Sequence, residues 1–112
     1  MNDVYLKFLQ IMESLDPFMK KNLSPTAISL LNKIATSDYQ QQPLTVSEAM
    51  NFRGLGSPAN LHHKLDELRL ADMILISTVG TDRRTKYIFL TQTAKDFFQI
   101  HSDAMLQACE SK

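Results

Sequence analysis

The chain has 112 residues, of which 44% are hydrophobic and 21% charged, the balance of one ordinary folded domain rather than a disordered, collagen-like or mucin-like segment. No apolar run approaches the roughly 18 residues of a membrane span, MNDVYLKFLQ lacks the pattern of a signal peptide, and the single Cys109 forms no intrachain disulfide or multi-cysteine zinc site, which together predict a soluble cytoplasmic protein. Twelve basic residues balance twelve acidic ones, although residues 53–95 hold seven Lys/Arg against four Asp/Glu, a weak local cue for phosphate.

Residues 3 to about 19 place Val4, Phe8, Ile11, Leu15 and Phe18 at alternating steps of four and three, one face of a helix, widened by Leu9, Met12 and Met19. Asp3 is the expected cap, and Pro17 predicts a kink or an early end near Leu15. So wide an apolar face must be covered, by its own domain or by a second subunit.

Ser24-Pro25 opens a second helix: the hydroxyl accepts an orphan N–H, and proline at the first helical position sacrifices no bond. Ala27, Ile28, Leu31, Ile34 and Ala35 recur with helical spacing, and the polar residues 36–43 predict a loop. Thr45-Val46-Ser47-Glu48 reads as a capping box. It opens a short helix holding Val46, Ala49, Met50 and Phe52, broken by Gly54 and Gly56. Ser57-Pro58 repeats the start signal, and Leu61, Leu65 and Leu68 mark one side of a longer helix. A short helix, a glycine-containing turn and a second capped helix have the layout of a helix-turn-helix.

After Leu70 the pattern changes. Residues 73–78 and 86–90 are rich in β-formers, and the polar VGTDRRT between them predicts a hairpin with a cationic turn. Thr91 then caps a last helix carrying Ala94, Phe97, Phe98, His101, Ala104, Met105 and Ala108.

This order is that of a winged helix-turn-helix: mainly α with a small β-hairpin, and extra N- and C-terminal helices. The stretch from Leu23 to about Lys95 resembles the DNA-binding core of the MarR-type (multiple-antibiotic-resistance) transcriptional regulators. The resemblance lies in LSPTAISLLNKI, LTVSEAM, SPANLHHKLDELRLADMI and TDRRTKYIFLT, the last with the family's Asp-x-Arg signal and Leu-Thr exit. Two positions where the family often has glycine hold Asp72 and Ala94 here; aspartate tolerates the left-handed backbone better than most residues. The chain is also shorter than is usual for the family. The expected organisation is a dimerising helix over 1–22, a DNA-binding domain over 23–95 and a dimerising helix over 96–112.

If the three leucines face the core, Ala59 and His63 point away from it, with Asn60 on one flank and His62 on the other. A recognition helix enters the major groove with its N-terminal half, which brings Ser57, Ala59, Asn60, His62 and His63 within reach, with Lys64 beside the backbone. Asn60 suits adenine, Ala59 a thymine methyl, and the histidines guanine or phosphate; Ser57 and nearby N–H groups suit phosphate. In the wing, Arg83, Arg84 and Lys86 are the candidates, since arginine suits a narrow minor groove. Asp82 is expected to hold a neighbouring arginine in position, as the resemblance also implies. Each of these residues has an alternative reading as ordinary solvated surface.

The expected function is a sequence-specific double-stranded DNA-binding transcriptional regulator. It acts as a homodimer that buries Val4, Phe8, Ile11 and Leu15 with Phe97, Phe98 and Met105 across a two-fold axis. The alternatives are a winged-helix protein–protein module, favoured by the neutral charge and by Asp66 and Glu67 on the reading helix, or a replication or partition factor of a mobile element. No catalytic motif, metal site or cofactor is expected: His62 and His63 diverge on a helix, carboxylates are scattered, and Cys109 reads as an inert thiol. Members of the family respond to small aromatic or anionic effectors; the short terminal helices here predict at most a small pocket.

Overall fold

The computed structural model describes residues 2–19 and 23–110, with the side chains of residues 16–19 left aside. The elements run α1 (Val4–Met19), α2 (Pro25–Tyr39), α3 (Val46–Ala49), α4 (Pro58–Leu70), β1 (Ile74–Val79), β2 (Asp82–Leu90) and α5 (Gln92–Glu110). They divide into two compact units, Asn22–Ala94 and Met1–Lys21 with Lys95–Lys112. No helix among the described residues is long and apolar enough to cross a membrane.

In the central unit every predicted start signal forms. Ser24 Oγ accepts the Ala27 N–H, Thr45 and Glu48 make both bonds of the capping box, and Ser57 Oγ accepts the Asn60 N–H. Thr91 caps α5 by accepting the Ala94 N–H. The core they enclose is wholly apolar: Ala27, Leu30, Leu31 and Ile34 of α2, Ala49 of α3, Leu61, Leu65 and Leu68 of α4, and Met73, Ile74, Ile88 and Ala94. At about 1.5–3 kcal/mol for each large apolar side chain removed from water, this cluster is the main stabilising term of the unit. Leu30 takes the inward position expected of Ile28, which is 38% exposed. The α2 face follows positions 27, 30, 31 and 34.

Four boundaries differ from expectation for identifiable reasons. The helix α2 continues through residues 36–39 because Thr36 returns its hydroxyl to the Asn32 carbonyl, so its polar group is satisfied inside the helix. The helix α3 ends at Ala49, well before Gly54, so the glycines lie in the following turn rather than breaking the helix. The helix α1 runs on past Pro17 to Met19 instead of ending near Leu15; the side chains of Phe18 and Met19 lie outside the described residues. At its start the Asp3 carboxylate pairs with Lys7 at 3.7 Å, and it is Asn2 that accepts the Val4 N–H.

The fourth difference is in the wing. The strand β2 begins at Asp82, so Arg83 and Arg84 stand on a strand and the turn shrinks to Gly80-Thr81, with Gly80 at φ 63°. The antiparallel register runs from Ile74↔Leu90 to Ser77↔Tyr87 and resumes at Val79↔Asp82. Between those last pairs β1 has one residue, Thr78, and β2 has four, residues 83–86. The cationic segment is therefore a bulge, a device that re-aims side chains out of the regular pleat.

In the terminal unit Val4, Phe8, Ile11, Leu15, Phe97 and Phe98 are half-buried, and Ala104 and Ala108 fully buried. Larger apolar exposure belongs to other residues: Tyr5 at 67%, Leu6 at 56%, Met105 at 54% and Leu106 at 60%.

Candidate nucleic-acid interface

The cap at Ser57 and the buried leucines fix how α4 is rotated. With Leu61, Leu65 and Leu68 buried, Ser57, Ala59, Asn60, His62 and His63 are all exposed on the N-terminal half. The side chains of His62 and His63 have no hydrogen-bond or ionic partner among the described residues. The Asn60 amide lies over Gly56: a Cβ built there would stand 2.9 Å from Asn60 Nδ2, and Gly56 has φ 152°. A side chain at position 56 would thus push Asn60 aside, which makes Gly56 part of how the exposed start of α4 is shaped.

The second half of α4 manages its own charges. Asp66 lies 3.7 Å from Arg69, and Lys64 lies 3.5 Å from Glu67. Glu67 is turned towards Ser24, whose backbone N–H, then its hydroxyl, then Lys64, hold the carboxyl below the ordinary glutamate range against partial desolvation. The two acids that favoured a protein-binding reading are therefore locally neutralised. Lys64, half-buried, is drawn to its own helix rather than projecting from it.

At the wing, Arg83, Arg84 and Lys86 are exposed, and none is ion-paired among the described residues. Asp82 does hold its neighbour, but by the backbone: Oδ1 accepts the Arg84 N–H at 2.9 Å and the Thr85 N–H at 3.4 Å. Those bonds, the Arg84 N–H first, keep the Asp82 carboxyl below its usual range. The guanidinium groups are left open to a ligand.

Sequence reasoning missed a groove between the wing and the helix-turn-helix, lined by Thr45, Val46, Ser47, Arg84, Thr85 and Lys86. Its walls are joined because Thr45 bridges to Tyr87 and the Ile88 N–H donates to the Leu44 carbonyl at 2.8 Å. No local signal announces that pairing. Among the described residues no group of three His, Cys, Asp or Glu side chains is placed to hold a metal ion, and Cys109 is an exposed free thiol.

The backbone arrangement matches solved structures of transcriptional regulators. Transcriptional regulator Tm0710 from Thermotoga maritima superposes with a TM-score of 0.66 at 14% identity, over 96% of this chain and 68% of that one. A MarR-like transcriptional regulator from the same organism gives 0.64 at 18%, over 96% and 81%. AbsC, a MarR family transcriptional regulator from Streptomyces coelicolor, gives 0.53 at 18%, over 93% and 69%. The fold is that of the MarR-like transcriptional regulators.

No sequence-family model matches the chain, and neither does any curated protein. At such identities the likeness is one of backbone, so in this MarR-like fold the particular side chains have to be argued from their own geometry. The three neighbours are described as transcriptional regulators.

Proposed function

We propose that the chain is a sequence-specific double-stranded DNA-binding transcriptional regulator that acts as a homodimer, with α4 in the major groove and the wing in the minor groove. The observation that carries this reading is the N-terminal half of α4. Ser57, Ala59, Asn60, His62 and His63 are solvent-facing on a helix whose opposite side is locked by three buried leucines. That is what a helix must offer to read base edges. The unpaired cations Arg83, Arg84 and Lys86 supply the attraction to phosphate that a neutral chain otherwise lacks.

The dimer would form through the terminal unit. Its half-buried set, Val4, Phe8, Ile11, Leu15, Phe97 and Phe98, would be completed by the exposed Tyr5, Leu6, Met105 and Leu106. A two-fold axis would set two α4 helices about one DNA turn apart, on half-sites roughly 10 bp from centre to centre. Residues 23–95 form the DNA-binding part in this reading, and residues 1–22 and 96–112 the dimerising part.

Selection of bound duplexes from a random pool tests the proposal. Enrichment of a palindrome supports it, whereas recovery of unenriched sequence with no measurable affinity at low salt rejects it.

A further inference from the structure

We propose that Gly56 is a positioning residue for base recognition: by carrying no side chain it seats the Asn60 amide over the start of α4, in the pose that reads a base pair. The inference rests on the DNA-binding reading and deepens it, because it moves part of the sequence preference from the helix to the turn that precedes it.

The backbone of Asn60 has little freedom. Pro58 occupies the first helical position, Ser57 Oγ accepts the Asn60 N–H at 3.2 Å, and the neighbouring Leu61 is fully buried. Only the side-chain torsions of Asn60 are left to decide where its amide lies. A helical side chain points back over the turn before it, and four residues before Asn60 stands Gly56. The amide takes the space that a side chain at position 56 would need. A Cβ there would stand 2.9 Å from Asn60 Nδ2 but 3.8 Å from Asn60 Cβ and Cγ. The stem of Asn60 could therefore stay while its amide end is forced to rotate away, so the cost falls on the reading group and not on the helix.

Asn60 is exposed, and its amide has no hydrogen-bond partner among the described residues. Packing over Gly56 orients it and leaves its donor and its acceptor for a ligand. An adenine edge needs both at once from one planar group, so an amide oriented before binding loses less freedom on the duplex.

Gly56 also has φ 152°, which L side chains rarely adopt, so a side chain there strains the backbone as well. A double-mutant cycle separates the two effects. Anisotropy titrations of wild type, Gly56→Ala, Asn60→Ala and Gly56→Ala/Asn60→Ala compare the palindrome selected by the wild-type chain with copies changed at one base pair at a time. Gly56→Ala should lose about 3- to 10-fold of the discrimination at the base pair where Asn60→Ala loses it, and in the Asn60→Ala background it should cost no further discrimination. Full discrimination at that base pair in Gly56→Ala, or an equal loss in both backgrounds, overturns the proposal and leaves the DNA-binding reading standing. A wild-type chain that selects no sequence removes both. A measurement on the wild-type chain decides the matter even where Gly56→Ala does not fold. Cross-relaxation between the Asn60 side-chain amide protons and the Gly56 α-protons should be strong in the free protein, and its absence overturns the proposal.

Discussion

Glu67 Oε2 accepts the Ser24 backbone N–H at 2.8 Å, and Glu67 Oε1 accepts the Ser24 hydroxyl at 3.1 Å. The same hydroxyl accepts the Ala27 N–H at 3.3 Å, so one serine both caps α2 and binds α4 across 43 residues of sequence. Lys64 closes the arrangement from the side. An acid on the helix proposed to enter DNA would be repulsive if free; here it fixes that helix against α2.

Replacing Glu67 with alanine should therefore destabilise the chain by about 1–3 kcal/mol at neutral pH, the usual range for a hydrogen-bonded charge. The carboxyl is held below its ordinary range in the folded state, so its stabilising contribution is complete above the unfolded value of about 4.3. It is lost as pH falls through the lower, folded value. Denaturant midpoints of wild type and Glu67→Ala should differ at pH 7 and converge in acid below that range. A gap that stays constant into strong acid would mean the ionised carboxyl is not what matters.

Asp82 makes an opposite-looking prediction. Deleting an acid beside the proposed DNA-binding wing ought to tighten binding, yet Asp82→Ala should weaken it about 3- to 10-fold, because the bulge that aims Arg84 and Lys86 loses its internal bond. Asp82→Asn keeps an oxygen acceptor for the Arg84 N–H and removes the charge, so it should bind duplex at least as well as wild type. Fluorescence anisotropy on one duplex decides between them. Tighter binding by the alanine variant would show that Asp82 acts only as a charge.

Asp72 ends α4 at φ 61°, where the Met73 N–H reaches the Leu68 carbonyl and the Asp72 N–H that of Arg69, the bonding of a Schellman motif. Its carboxylate also accepts the Thr93 hydroxyl at 2.8 Å. Asp72→Ala loses that bond and keeps the left-handed strain, so it should cost about 1–2 kcal/mol. Asp72→Gly relieves the backbone and should fall within about 1 kcal/mol of wild type. Thermal unfolding of both variants checks this; equal loss in the two would remove the backbone argument.

The features legible in the sequence are those whose physics is local. Ser24, Thr45, Ser57 and Thr91 each act within three residues, and all four caps form. The α4 leucine face is equally plain, since one helix period determines it. What escapes depends on distant partners or on register. The bulge at residues 83–86 comes from a pairing shift that no β-propensity encodes, and the groove beside it needs Leu44 and Thr45 to meet Tyr87 and Ile88. The pairing of Lys64 with Glu67, itself placed by Ser24, likewise depends on a partner 43 residues away.

The proposed dimer makes its own demand on the terminal unit. Leu6 and Leu106 are 56% and 60% exposed, so polar replacements there should leave the monomer fold intact. In Leu6→Glu/Leu106→Glu, sedimentation equilibrium should show a monomer at micromolar concentrations where wild type is a dimer. A wild-type chain that sediments as a monomer at those concentrations contradicts the homodimer.

The central claim is that α4 reads bases while the wing cations supply affinity. It is tested most directly by anisotropy titrations of wild type, Asn60→Ala and Arg83→Ala/Arg84→Ala on the selected palindrome and on unrelated duplex, repeated across a salt series. Wild-type binding should weaken steeply with salt as phosphate counterions are released. Asn60→Ala should lose about 1–3 kcal/mol on the palindrome alone. The double arginine variant should weaken on both duplexes, with the salt slope reduced by about one unit for each phosphate it no longer neutralises. A double variant that binds both duplexes as well as wild type, at the same slope, would contradict the account.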